Sequence, residues 1–306
     1  MRFKLDIPAF SKQLKVSPPA AVRDILLRYA LVPTLRIMKP LKDLQCWEDL
    51  FRNLLKKDSF ALIVIDDCRY DFFDEVYRDY ISGELLKVKS PGPHTYGWLP
   101  AVFSYAQFRN LQFFCARTTI KTHDIKARKF VPNGRGIDMI DIFPRKNDNL
   151  GAVLPRDVNQ RVVEKGLGRR NIIWYLQPHF PWVCNKDLSM TLLNEITFQD
   201  FTPKDLIRAK LEKKGISGKR IARAYARNLK LVLHAISELL ETIGNSVSHV
   251  VVTSDHGELL GEYGLFGHPH HEMPQLYVVP WLRVKGFKET SNLSLHKMNF
   301  NHNEIS

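Results

Sequence analysis

Val247-Ser-His-Val-Val-Val-Thr-Ser-Asp-His-Gly-Glu258 is an apolar, β-branched run that ends in an acid, an imidazole and a glycine. A run of that kind predicts a strand buried on both faces. The carboxyl ends of strands in open α/β sheets face the crevice where ligands bind. Asp255 and His256 at such an end offer a hard oxygen and a borderline nitrogen to a divalent cation. The rest of the chain is read for the ligands that would complete the set.

The 306 residues carry a hydrophobic share of 44% and a charged share of 25%, ordinary for a globular protein with a sizeable core. Less ordinary is the net charge of +13. It suits anionic partners, whether phosphates, nucleic acid or acidic lipid headgroups, and equally a plain basic surface. Cys46, Cys68, Cys115 and Cys184 form no CxxC pair, which argues against a disulfide framework or a cysteine zinc site. No signal-peptide pattern is seen, and no apolar stretch approaches the roughly 20 residues that cross a bilayer. The expectation is a cytoplasmic protein without a transmembrane segment; oligomeric state is not legible.

Working outward, Phe60-Ala-Leu-Ile-Val-Ile65 predicts a second fully buried strand, ending in Asp66-Asp67. Asn171-Ile-Ile-Trp-Tyr-Leu176 predicts a third, running into Gln177-Pro-His179-Phe-Pro181. Leu85 to Val88, Leu111 to Ala116 and Leu276 to Val284 complete the strands. Helical spacing is read over Leu41–Lys57, Arg69–Tyr80, a segment led by His94-Thr95, Asp157–Lys165, Pro203–Lys214 and Lys219–Ile243, with a further helix from Ser17-Pro18-Pro19 through Leu31. Residues 117–155 are left unassigned. This alternation predicts an α/β fold, a mostly parallel central sheet with helices on both faces. Three parts are expected: an N-terminal helical extension over 1–58, the α/β domain over 59–286 and a polar tail over 287–306.

Asp66, Asp67, His179, Asp255 and His256 all fall just after predicted strands. Two acids closing a buried strand are costly unless a cation neutralises them, although Asp67 is equally placed to cap the next helix. Thr95 follows the loop Ser90-Pro-Gly-Pro93 and opens a helix. There it could serve as a metal-activated nucleophile or as an ordinary N-cap; Ser90 and Ser104 have weaker contexts.

Taken together, Val64-Ile-Asp66-Asp67, Thr95 at 28 to 29 residues beyond, the Gln177–Pro181 segment, Ser254-Asp-His-Gly-Glu-Leu-Leu-Gly-Glu262, Gly267-His268 and Val279-Pro280 resemble the sulfatase-like branch of the alkaline phosphatase superfamily. The resemblance spans roughly residues 58–286. It implies a metal-dependent phosphoester hydrolase or transferase, with Asp66, Asp67, Thr95, Asp255 and His256 around one divalent ion (Mn, Zn, Mg or Ca). It further implies Thr95 as nucleophile through a phosphothreonine intermediate, with His179 and His268 at the transferred group or leaving oxygen. Two departures matter. Sulfatases of this branch carry Cys or Ser in a Cys/Ser-x-Pro-x-Arg motif that becomes formylglycine, whereas this chain has Thr95-Tyr-Gly-Trp-Leu, similar to threonine-nucleophile relatives. Two-zinc relatives supply a further Asp where Gln177 stands, so one ion is expected.

Lys121 and His123 resemble the sulfate-contacting Lys-x-His pair of sulfatases, at an unusually short distance from Thr95. Among His268, His270 and His271, one is expected to face the site. Residues 204–230 hold ten Lys or Arg against two acids. Such a run is a solvated face or a non-specific contact for nucleic acid or another anionic polymer. A sulfuric ester hydrolase, and a basic binding domain that retains its metal site without turnover, are the competing readings.

Overall fold

The computed structural model describes residues 41–104, 110–116, 136–145, 150–195, 214–244, 246–262, 266–268 and 273–286. In chain order the strands are β1 (Gln45–Cys46), β2 (Phe60–Ile65), β3 (Gly83–Lys89), β4 (Leu111–Cys115), β5 (Ile137–Asp141), β6 (Arg170–Tyr175), β7 (His249–Ser254), β8 (Leu259–Leu260), β9 (Phe266–Gly267) and β10 (Val278–Val284). The helices are α1 (Trp47–Leu55), α2 (Tyr70–Val76), α3 (Thr95–Ser104), α4 (Pro155–Lys165), α5 (Lys186–Glu195), α6 (Gly218–Ile243) and α7 (Pro274–Tyr277).

Eight strands join one sheet in the order β1-β3-β10-β7-β2-β6-β4-β5, and β8 pairs with β9 apart from it. Within the large sheet every pairing is parallel except the two made by β10. The mostly parallel α/β sheet expected from the sequence is what forms. All six residues of β2 are buried, and their alternation divides them between two cores. Ala61, Ile63 and Ile65 meet Phe73, Val158, Val232 and Ile236 from α2, α4 and α6. Phe60, Leu62 and Val64 meet Trp47, Phe51, Trp98 and Val102 from α1 and α3. Each such side chain contributes about 1.5–3 kcal/mol by leaving water, which is why a continuous apolar run settles in the middle of three layers.

Register then fixes where the chemistry falls. Ile65 pairs with Ser254 on one side and with Tyr175 on the other. Asp66 and Asp255 are the next residues of adjacent parallel strands, so they emerge side by side at the same edge. Gln177 and His179 leave β6 at that edge as well.

Three elements differ from expectation. Gln45–Cys46 pair with Val88–Lys89 as a strand, and the helix read from Leu41 begins only at Trp47. Trp47, Leu50, Phe51 and Leu54 still form its buried face, which is where the spacing signal came from. The last strand starts at Val278 because Pro274–Tyr277 make a helical turn with proline in its tolerated first position. Strand β5 lies in the unassigned stretch; its pattern is only partly buried at the sheet edge, so no clean alternation marked it. The helix read over Ser17–Leu31, most of that over Pro203–Lys214, and the tail fall outside the described residues. No helix among the described residues is long and apolar enough to cross a membrane.

Candidate metal and ester-transfer site

The loop after β2 carries the first two carboxylates. Asp67 lies in the left-handed region, at φ 64°, which aspartate tolerates better than most residues. Two contacts fix that turn: the Tyr225 hydroxyl donates to the Asp67 carbonyl at 2.7 Å, and the Asp67 N–H donates to Asp255 Oδ1 at 3.2 Å. The helix that follows takes Arg69 as its N-cap residue, without a side-chain cap bond. Asp66 and Asp67 are therefore not caps. Both are fully buried.

The loop after β7 brings the second pair. Asp255 and His256 are fully buried too. Asp255 Oδ1 accepts from the His256 N–H at 2.9 Å, which leaves Oδ2 to face Thr95. Gly257 has no room for a side chain, since a Cβ there would sit 2.0 Å from the Gln275 carbonyl. That close approach presses the loop onto α7, where the Gly257 N–H donates to the Leu276 carbonyl at 2.9 Å.

Thr95 opens α3 and is 2% exposed. Its hydroxyl donates to Asp255 Oδ2 at 3.0 Å and stands 3.1 Å from His256 Nε2. The cap itself is made by His94, whose Nδ1 accepts from the Gly97 N–H at 3.0 Å. Thr95 is thus turned away from capping and towards the two loops. Ser90 ties the preceding loop to the site by donating to the Asp255 carbonyl.

Two overlapping groups have the spacing of metal ligands: Asp66, Asp67 and His256, and Asp67, His179 and His268, each with its donor atoms within 4.8 Å of one another. Asp67 belongs to both. His256 Nε2 lies 3.1 Å from Asp255 Oδ2 and 3.8 Å from Asp66 Oδ1, while Nδ1 lies 2.9 Å from Asp67 Oδ1 and 3.0 Å from the Gly257 carbonyl. His179 and His268 come within 3.5 Å of Asp67 from the partly open side. Asp255 touches Thr95 and His256 yet stands in neither group. Lys121, His123, His270 and His271 lie outside the described residues.

The electrostatics favour a cation. Burial pushes the Asp67 carboxyl well above the usual range, the charge of Glu258 adds to this, and His256 offsets it only in part. Glu258 is also raised by burial, but its interaction with Asp67 and the nearby His268 and His179 rings outweigh that and hold it low. Burial alone would lower His256, but Asp255 and Asp67 together raise it well above its ordinary value. Both Asp67 carboxylate oxygens are buried without a well-formed hydrogen bond. Oxygens of that kind, beside imidazole nitrogens, are the donor set of Mn²⁺, Zn²⁺ or Mg²⁺, and the residues fit such an ion. The thiol of Cys68, next in sequence, is buried and pushed up by that burial, which makes it a poor nucleophile.

Several contributors escaped the sequence reading. Arg69 is buried and spans the two loops: its guanidinium pairs with Asp71 at 2.6 Å, with Glu262, and with the Glu258 carbonyl at 3.3 Å. Tyr225 reaches in from α6 and also accepts from the Arg69 N–H at 2.9 Å. Glu258 stood inside the quoted motif without an assigned task. Nothing in the spacing of Arg69 or Tyr225 announced their contacts, which depend on how the elements pack.

Comparison with protein-family models finds no match, and comparison with curated sequences finds none. Solved structures with a similar fold include the soluble domain of a lipooligosaccharide phosphoethanolamine transferase from Neisseria meningitidis, at 15% identity over 74% of this chain and 76% of that one, TM-score 0.47. The C-terminal periplasmic domain of a phosphoethanolamine transferase from Campylobacter jejuni matches at 16% identity over 74% and 78%, TM-score 0.44. A phosphonate monoester hydrolase from Silicibacter pomeroyi matches at 13% identity over 74% and 68%, TM-score 0.40.

Proposed function

We propose that this chain is a metal-dependent enzyme of phosphoester transfer or hydrolysis, with Thr95 as its nucleophile. One observation carries the reading: the Thr95 hydroxyl, nearly sealed from water, is held between Asp255 and His256 while a neighbouring residue caps the helix. Asp66, Asp67 and His256 would hold the ion, with Asp255 and Thr95 beside His256 Nε2. A bound divalent cation supplies positive charge that acidifies the hydroxyl and offsets charge on the transferred group.

The chain's own residues do the rest. Asp255 Oδ2 takes the hydroxyl proton along the existing hydrogen bond. Thr95 Oγ1 then bonds to phosphorus as the ester bond to the leaving oxygen breaks, giving a phosphothreonine. The positive end of the α3 dipole, at whose first residue Thr95 stands, favours the negative charge that develops there. His179 and His268, partly exposed at the mouth of the site, deliver a proton to the leaving oxygen. Water or an acceptor alcohol next attacks phosphorus, giving its proton to the histidine that protonated the leaving oxygen; the Thr95 Oγ1–phosphorus bond breaks, and Thr95 takes its proton back from Asp255.

Turnover of an aryl phosphodiester, a phosphomonoester and a sulfate ester, each with Mn²⁺, Zn²⁺, Mg²⁺ or Ca²⁺ added back, tests this. Phosphoester turnover is expected, and Thr95→Ala should lower it by at least about a thousandfold while the bound metal is retained. Turnover confined to the sulfate ester would overturn the reading, because threonine cannot become the aldehyde of that chemistry. Bound metal without turnover of any ester would favour the non-catalytic binding domain.

A further inference from the structure

Helix α6 carries its charge against its own dipole. Lys219, Arg220, Arg223, Arg227 and Lys230 are exposed along its N-terminal half, whereas Glu238 and Glu241 are exposed near its C-terminal end. Cations belong at the other end if charge serves helix stability. Nor are the five cations held by neighbours, since among the described residues none has an ion-pair partner. Lys219 and Arg220, in the first turn, sit against the dipole, the whole row of like charge repels itself, and a ligand that neutralises it relieves both.

Beside this row runs a groove of about 290 Å³ between α2 and α6. Its floor is apolar, made by Phe72, Val76, Ala222, Ala226 and Leu229, and its rim holds Lys219, Arg223 and Lys230 with one acid, Glu75. Cations above an apolar floor match an amphiphile with an anionic head. A nucleic-acid backbone would use the rim, but the floor is aliphatic apart from Phe72, whose half-buried ring is already engaged by Tyr225 and Arg69 and offers little for base stacking. The first residue of α6 also backs onto the site loop: a Cβ on Gly218 would lie 3.0 Å from the Leu260 carbonyl.

We infer that this face of α2 and α6 docks on a bilayer rich in anionic phospholipid, next to the ester-transfer site. The inference deepens the proposed function by placing its substrate on a lipid surface. Its test needs no turnover, so the two can fail separately. The full chain is sedimented with vesicles of phosphatidylcholine containing 30% phosphatidylserine, with pure phosphatidylcholine vesicles, and with a single-stranded oligonucleotide as competitor. Binding to the anionic vesicles alone is expected, weakening as salt rises. Lys219→Gln/Arg223→Gln/Lys230→Gln should weaken it by about a hundredfold, roughly fivefold per charge. Ala226→Gln, which fills the floor without changing charge, should weaken it as well. Circular dichroism confirms that each variant is folded. Equal binding to neutral vesicles, indifference to either variant, or displacement by the oligonucleotide at matching affinity would overturn the lipid assignment.

Discussion

Asp67 combines a left-handed backbone, complete burial and a raised carboxyl beside a second acid. Each of these opposes folding, and together they mark a residue kept for something other than stability. Asp67→Asn keeps the shape and the tolerance for positive φ while removing a charge that repels Glu258. In the presence of a chelator this variant should melt higher than the parent, by about 1–2 kcal/mol of stability. Metal affinity should fall by more than about tenfold. Differential scanning fluorimetry with and without metal reads both, and a variant destabilised under both conditions would mean that Asp67 is structural. The acids and His256 were legible as residues because apolar strands ended in them. Their alternatives as caps were equally legible, and only the position of the helix starts separates the two.

At the level of elements, the site is the meeting of two loops, and Arg69 is what joins them. Its guanidinium crosses from the loop after β2 to Glu262 and the Glu258 carbonyl in the loop after β7. Arg69→Met should leave the helical signal intact and speed metal loss to a chelator by roughly tenfold or more. Arg69→Lys should rescue only part of this, because an ammonium cannot make the two-pronged contact with Asp71. Metal retention unchanged in Arg69→Met would show that the loops hold their places without it. Strands β2, β6 and β7 announced themselves because both faces of each are buried. Strand β5 and the short β1 did not, since edge positions relax the pattern.

For the molecule as a whole, the three-layer fold follows from long apolar strands alternating with helices, and that much was readable without coordinates. The registers were not: that Ile65 faces Ser254 and Tyr175 is a property of the assembled sheet. Those registers turn four separate motifs into one cluster around Thr95. The same assembly sets α6 so that Tyr225 holds the site from within while the opposite face presents a row of exposed cations. Net charge of +13 hinted at an anionic partner, but the place where it concentrates emerges only from the fold. The most direct test of the central claim is anomalous diffraction from crystals grown with Zn²⁺ or Mn²⁺. The account predicts one strong peak about 2.0–2.2 Å from oxygens of the Asp66–Asp67 loop, with His256 and Thr95 in the same shell. A peak elsewhere on the chain, or a cluster that stays empty at saturating metal, would contradict it.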